Sequence, residues 1–192
     1  MPRATVAAAA QTAETLLISA TALFAARGFA DVSVDDIARA SGVTRGAAYH
    51  HFQSKAGLFA AVASRLQIIL ADAVVAAAER AGSDPGRQLR AGSHAFLDAI
   101  TDKSALRILL IDAPSVVGWQ EWRRLDAQNS AVHLREALGN VGVPGDLLDA
   151  TTAQLSGAMN ESALWIAEHP NTPMARKQSH LALDQLLESF IL

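Results

Sequence analysis

Three side chains close to a glycine turn carry the most distinctive chemistry of the chain: Arg45, Tyr49 and His50. Guanidinium, phenol and imidazole groups can bond base edges or phosphate oxygens in nucleic acid. At helical spacing these side chains and Ala47 would face away from a protein core. A surface of small residues beside Arg, Tyr and His is typical of contact with duplex DNA and is hard to explain as ordinary solvent-facing surface.

Two short helices must position this surface, and the first of them has clear ends. Ser33 and Asp36 have the spacing of a capping box, so a helix is predicted to begin at Val34 and to bury Ile37. Gly42 is expected to end it, because the left-handed conformation that follows a helix costs little only without a Cβ.

The second helix is predicted to run from Arg45 to His51, with Thr44 as its N-cap and with Ala48 and Phe52 turned inward. Two helices in this order are a helix-turn-helix, which places its second helix against a DNA groove. A plain helical hairpin would also have caps and a glycine. The prediction of DNA binding therefore depends on the outward side chains.

A helix before this motif completes a small domain. It is predicted to end at Gly28, with Phe29 folding back as the hydrophobic contact of that end, and with Leu58 and Phe59 closing the core. Its apolar stripe consists of Leu16, Ala20, Leu23 and Phe24. Residues 1–12 are predicted to be a mobile tail, 13–58 the DNA-binding domain and 59–192 a second helical domain.

The segment resembles the DNA-binding domain of the tetracycline-repressor (TetR/AcrR) family of one-component bacterial regulators. The matching segments are Leu23–Phe29, Ser33–Ala38, Ser41–Ala47, Tyr49–Phe52, and Ser54 and Lys55 with Leu58. They lie within residues 13–60, under a third of the chain. Ala48 departs from the family, which usually has a bulky aliphatic residue there. Val43 or Phe52 would have to fill the space, since a small void would cost roughly 1 kcal/mol or more.

The resemblance implies roles that the chemistry of the residues supports. Arg45 could bond guanine O6 and N7, or could contact phosphate without reading sequence. Ala47 could touch a thymine methyl group, Gly46 lets the backbone approach the groove, and His51 is expected to pack within the domain. The remaining polar side chains of the site, which carry hydroxyl, phenol, imidazole and ammonium groups, would bond phosphates. The predicted DNA-binding residues are Ser33, Thr44, Arg45, Gly46, Ala47, Tyr49, His50 and Lys55.

The composition fits a protein that binds specific DNA sequences and shows no feature of a secreted or membrane protein. The chain carries a net charge of −3, and residues 1–58 hold five basic and four acidic side chains, a net +1. A few contacts doubled by a dimer should thus supply the affinity, with a moderate salt dependence. The absence of cysteine fits a cytoplasmic protein. No signal peptide is expected, and the richest apolar window, residues 66–78, is too short for a membrane span.

Two other classes of protein fit the sequence less well. A helical enzyme is disfavoured because no two histidines have the i, i+4 spacing of a metal site, and there is no glycine-rich phosphate loop or cysteine; the histidines are His50, His51, His94, His133, His169 and His180. No cofactor or metal is therefore expected. A winged helix would need a β-hairpin after residue 53, where helical periodicity continues instead.

The remainder predicts an all-α fold of nine helices in two domains. Beyond the helix-turn-helix, helices are expected over residues 54–81, 87–101, 104–112, 115–138, 146–169 and 173–192. The first of these would run from one domain into the other. The last two are apolar on more than one face, which favours a dimer interface, although they could simply complete the core. The predicted interface residues are Leu155, Ala158, Met159, Ser162, Leu183, Leu186, Leu187 and Phe190.

A pocket for a small apolar or aromatic ligand is expected among the helices that begin near residues 87, 104, 115 and 146. Its candidate lining residues are His94, Phe96, Arg107, Asp112, Trp119, Trp122, Met159, Asn160 and Trp165. The same residues could equally belong to a helical core. The sequence therefore predicts a dimeric, ligand-responsive repressor of a palindromic operator. An activator or a ligand-independent regulator of the same fold is the alternative.

Overall fold

The computed structural model describes the backbone of residues 2–191 and the side chains of residues 7–191. Within that range the fold is all-α, as predicted, and no strand is present. The ten helices are α1 (Pro2–Arg27), α2 (Val34–Ser41), α3 (Arg45–Phe52), α4 (Lys55–Arg80), α5 (Pro85–Ile100), α6 (three consecutive stretches, Lys103–Ala105, Leu106–Asp112 and Ala113–Val116), α7 (Trp119–Gln128), α8 (Ser130–Asn140), α9 (Leu148–Glu168) and α10 (Thr172–Glu188). The middle stretch of α6 is π-helical.

The helix predicted over residues 115–138 is divided, which raises the count from nine to ten. Gly118 has φ +88°, so α6 cannot continue through it into α7. At the second break, Asn129 Nδ2 donates to the carbonyl of Leu125 at 2.7 Å, and the backbone N–H of Asn129 bonds Asp126 instead. A side chain that takes the helical acceptor in this way ends α7.

The first helix is longer than predicted. α1 begins at Pro2 and includes most of residues 1–12, for which the sequence predicted a mobile tail without periodicity. The side chains of residues 7–11 are exposed and contribute nothing to a core. The mobility of this segment stays a prediction.

The core of the N-terminal domain is built around three phenylalanines. Phe59 of α4 packs edge-on against Phe24 and Phe29, with ring centroids 5.1 and 5.2 Å apart. The chain reverses after α1 at Gly28, whose φ of +83° requires glycine, and Phe29 folds back as predicted. Leu16 and Ile37 are fully buried beside this cluster.

α4 connects the two halves of the chain. Its first part, with Leu58 and Phe59, closes the N-terminal core, and its last part packs along α5 in the second half. By length and composition α4 could span a membrane. Its packing against α1, α5 and α8 instead makes it a core helix of this fold. Gly92 of α5 faces α4, where a Cβ would lie 3.4 Å from Cγ1 of Val74, at ordinary van der Waals contact.

Candidate nucleic-acid interface and effector cavity

The turn between α2 and α3 has the geometry that the sequence predicts. The backbone N–H of Asp36 donates to Ser33 Oγ at 3.1 Å, and the backbone N–H of Ser33 donates to Asp36 Oδ2 at 3.0 Å. Gly42 adopts the left-handed conformation, with φ 66°. The backbone N–H of Ala47 donates to Thr44 Oγ1 at 3.2 Å. Both caps and the glycine turn are therefore confirmed.

α3 presents one face to solvent and one to the core. Ala48 is 2% exposed, and Val43 and Phe52 pack against the same core. On the opposite face Tyr49 is 39% exposed, and Gly46 has open space where a Cβ would project. The segment that the sequence predicted to enter a groove thus lies on the surface of the described chain.

Arg45 is tethered at this surface by two neighbours. Its Nη1 lies 3.0 Å from Asp35 Oδ2, and its guanidinium carbon lies 5.3 Å from the centre of the Tyr49 ring. Both members of the ion pair are largely exposed, so the pair is weak in water. The guanidinium is therefore held along α3 but can exchange Asp35 for another acceptor.

Ser33 and Lys55 already have hydrogen-bond partners within the protein. Ser33 Oγ donates to Asp36 Oδ2 at 2.6 Å, and this hydrogen bond, followed by the one from the Ser33 backbone, lowers the pKa of the Asp36 carboxyl. Lys55 Nζ donates to the carbonyl of Ala30 at 3.1 Å and lies 4.3 Å from the centre of the Phe29 ring. An ammonium has three donors, so this lysine retains capacity for a phosphate.

A cavity of about 200 Å³ lies in the second half of the molecule, between α4, α5, α8 and α9. Only Phe96 and Met159 of the nine candidate pocket residues line it. The wall from α4, with Val74 and Val75, was not predicted. Neither was Ser93, although it lies four residues from both Leu89 and Leu97 on the buried stripe of α5. A serine on such a stripe is the signal that the sequence offered.

The other candidate pocket residues have different neighbours. His94 Nε2 lies 2.8 Å from Asp184 Oδ1 of α10, and Asn160 is half-buried outside the cavity lining. Trp122 is buried and donates from Nε1 to the carbonyl of Leu109 at 2.7 Å. The remaining two tryptophans pack at the surface: Trp119 stacks on Trp122, and Trp165 stacks on His169.

Arg107 and Asp112, the last two candidates, join α6 to the DNA-binding domain. Arg107 Nη2 donates to the carbonyl of Arg27 at 3.1 Å, and the backbone N–H of Phe29 donates to Asp112 Oδ2 at 3.0 Å. Both contacts fall on the turn after α1. These two residues form a polar clamp between the halves of the molecule, at a distance in the chain that sequence spacing cannot reveal.

The predicted dimer residues fall into two groups. Four of them, Leu155, Met159, Leu183 and Leu187, are buried within the single chain and belong to its core. The other four, Ala158, Ser162, Leu186 and Phe190, are partly or largely exposed on or just beyond α9 and α10. The packing of one chain thus uses only one face of each helix, a division that periodicity alone did not resolve.

Comparison with known proteins agrees with this architecture. Residues 16–62 match the model of bacterial regulatory proteins of the tetR family, and residues 87–190 match the tetracyclin repressor-like C-terminal domain. The chain belongs to the TetR family. It is a DNA-binding transcriptional regulator and not an enzyme, as predicted. The winged-helix alternative is contradicted, because α4 follows α3 directly.

Two relatives illustrate how far the similarity extends. A TetR-family regulator from Pectobacterium atrosepticum is 32% identical, with a TM-score of 0.76 over 97% of each chain. The transposon Tn10 TetC protein of Escherichia coli is 30% identical over 117 residues, which are 61% of this chain and 58% of that protein.

A third relative matches over a shorter stretch. The regulator SrpR of Pseudomonas putida is 42% identical over 67 residues, 35% of this chain and 32% of SrpR. The matches to these two curated relatives thus span between about a third and three fifths of their length.

Proposed function

We propose that this regulator is a cytoplasmic, ligand-responsive repressor that binds a palindromic operator as a homodimer. The observation that carries the proposal is the course of α4. Its Leu58 and Phe59 belong to the core beneath α3, and its Val74 and Val75 line the cavity. A ligand that displaces the cavity wall would therefore displace the support of the DNA-binding helix.

The dimer would form through the exposed faces of α9 and α10. Leu181 is 56% exposed and Leu186 51% exposed on α10, and Trp165 is 37% exposed on α9. Ala158 and Ser162, half-buried on α9, are small residues, which would allow helices to approach closely. An isologous contact of these faces would relate two copies by a two-fold axis. The two α3 helices would then enter successive major grooves, so the operator should be palindromic.

Release from DNA requires that the effector bind one conformation better than the other. A ligand with equal affinity for both states shifts nothing, however tightly it binds. A coupling of about 1–3 kcal/mol per effector is the usual scale. Besides α4, the clamp of Arg107 and Asp112 offers a second connection, since it holds the turn after α1 to α6.

The experiment that tests the proposal begins with selection of bound duplexes from a genomic pool. Recovered sites should be palindromic, and sedimentation of the complex should give two protein chains per site or a multiple of two. Expression from a transcription reporter that carries the site should fall when the protein is supplied. It should recover when a compound that binds the purified protein is added. Non-palindromic sites bound by single chains, or a reporter that rises, would contradict it.

A further inference from the structure

We infer that the cavity between α4, α5, α8 and α9 takes a small neutral molecule, about the size of one substituted aromatic ring, whose hydroxyl group is bonded by Ser93 and Ser130. This inference rests on the proposed function for the existence of an effector. It adds the chemical class of that effector, which follows from the size of the cavity, its buried hydroxyls and the charges around it.

The size of the cavity suits a single ring. Its volume is about 200 Å³. An engineered cavity of about 150 Å³ lined by aliphatic and aromatic residues holds benzene. The additional space here accommodates one or two small substituents. The walls are predominantly apolar, with Leu89, Phe96, Leu134 and Met159 buried around the space, so they suit a hydrocarbon ring.

Two of the polar residues that line the cavity are buried serines. Ser93 on α5 and Ser130 on α8 are 4% and 5% exposed, and neither Oγ has a hydrogen-bond partner. Elsewhere in this molecule helical hydroxyls bond the carbonyl four residues earlier, as Thr101 and Thr152 do at 2.8 and 2.7 Å. Buried polar groups are normally paired, so two such hydroxyls beside one cavity indicate an absent partner.

A third serine of the lining is already engaged. Ser156 Oγ donates to Asp126 Oδ2 at 3.3 Å. Its proton is therefore directed away from a ligand, whereas the protons of Ser93 and Ser130 are not committed. Both Oγ atoms are buried, so a ligand would reach them after the serine side chains turn toward the cavity. A hydroxyl group can both donate and accept, so a ligand hydroxyl can bond either serine.

The charges around the cavity favour a neutral ligand. The residues that line it include no lysine or arginine, so a carboxylate inside would find only the imidazole of His133 as a counter-charge. Its acidic members, Glu79 and Glu136, are exposed and are themselves repulsive to an anion. A cation would be attracted to these exposed carboxylates at the solvent side and would lose its hydration if it moved among the buried apolar residues.

A matched series of four one-ring compounds tests the inference directly: benzyl alcohol, toluene, benzoate and benzylamine. Titration calorimetry of the DNA-free protein should give the tightest binding for benzyl alcohol. We expect benzoate and benzylamine to bind at least about tenfold more weakly, since a buried charge without a partner is strongly disfavoured.

Serine substitutions identify the groups that bind the hydroxyl. Ser93→Ala and Ser130→Ala should each weaken benzyl alcohol binding about three- to tenfold and leave toluene within about twofold, as expected for loss of one hydrogen bond. Ser115→Ala, which removes an exposed hydroxyl on α6, is the control and should change neither. Ala137→Leu should abolish binding of every compound by filling the cavity, with thermal unfolding as the check on folding.

Two results would overturn the inference: benzoate binding as tightly as benzyl alcohol, or serine variants that bind benzyl alcohol like the parent. Operator affinity, measured with and without benzyl alcohol, separates this from the proposed function. Selective binding that leaves operator affinity unchanged would support the ligand class and contradict release from DNA. Release by a carboxylate would support ligand-responsive regulation and contradict the ligand class.

Discussion

At the scale of single residues, Arg45, the side chain predicted to read DNA, is held by two neighbours in the absence of DNA. Its ion pair with Asp35 and its position over Tyr49 keep the guanidinium at the surface of α3. Whichever acceptor DNA offers must replace Asp35. This competition should favour sites that offer Arg45 two acceptors at once, since a bidentate bond to guanine outweighs a single exposed carboxylate.

Replacing Arg45 by alanine should therefore cost about 1–3 kcal/mol of operator affinity and relax the preference at one base position of each half-site. Binding to a set of single-base operator variants measures both effects. Arg39→Ala is a matched control, because Arg39 also pairs with an aspartate, Asp36 at 3.3 Å, but lies on α2. An equal loss on every operator variant would show that Arg45 binds phosphate.

Asp126 is a second residue whose surroundings make a prediction. It is 6% exposed, and burial raises the pKa of its carboxyl, while Arg123 and the hydrogen bond from Ser156 act in the opposite direction. A raised pKa in the folded state means that the ionised carboxylate destabilises the fold. Acidification through that pKa should thus stabilise the protein until the ordinary aspartate pKa is reached.

Asp126→Asn should accordingly raise the melting temperature at neutral pH, and its advantage should shrink as the pH approaches the usual range of aspartate. The amide retains an oxygen that can accept from Ser156. Thermal unfolding across this pH range checks the prediction, with Asp149→Asn as a control whose side chain is 86% exposed. A parent protein that melts higher than Asp126→Asn at neutral pH would refute it.

At the scale of helices, the positions of α2 and α3 could be predicted and that of the cavity could not. Ser33, Gly42 and Thr44 act within a few residues of their own position, so their types fix helix ends. The cavity is formed by four helices distant in the chain. Val74 and Val75 of α4 could serve as core or as cavity wall, and only the packing of α5 and α8 decides between these.

The same contrast explains α6. The chemistry of Arg107 and Asp112 was recognised from the sequence, but their partners, Arg27 and Phe29, are about eighty residues away. Near Asn129 the reason for the missed break was local. Its amide competes for a backbone acceptor, and this competition is less visible in a sequence than proline or glycine.

The clamp predicts a loss of stability when its acceptor is removed. Asp112→Ala would leave the backbone N–H of Phe29 without its partner, which should cost about 1–3 kcal/mol in unfolding free energy. Urea unfolding of the variant measures this, with Asp72→Ala on the exposed side of α4 as control. If α6 also transmits the effector signal, the variant should bind effector normally and release operator poorly. Unfolding and operator release like those of the parent protein would show that the clamp neither stabilises the fold nor transmits the effector signal.

At the scale of the whole molecule, the exposed faces of α9 and α10 should decide whether the protein acts at all. A monomer would lose the doubling of DNA contacts, which a chain of net charge −3 needs for specific affinity. The sequence predicted that these two helices form the interface, which stays a prediction. It could not separate the face that the core uses from the face left outside, since both are apolar.

Leu181→Glu and Leu186→Glu should each place a charge in the proposed interface and shift the protein to monomers at micromolar concentration, with operator affinity reduced at least about tenfold. Sedimentation velocity and operator titration measure the two effects. Val132→Glu provides the control, because Val132 is 45% exposed on α8. Variants that remain dimeric would relocate the interface.

The shared use of α4 also constrains how such a protein can acquire a new inducer. A substitution at Val74 or Val75 would change the shape of the cavity and, through α4, the position of the DNA-binding helix α3. Expression in the absence of inducer would therefore change whenever the preference for inducer changed. α8 and α9 line the cavity but are not part of the N-terminal domain. Laboratory selection for a new inducer at constant background expression should therefore enrich substitutions at Ser130, Leu134 and Met159 and leave the sequence of α4 unchanged.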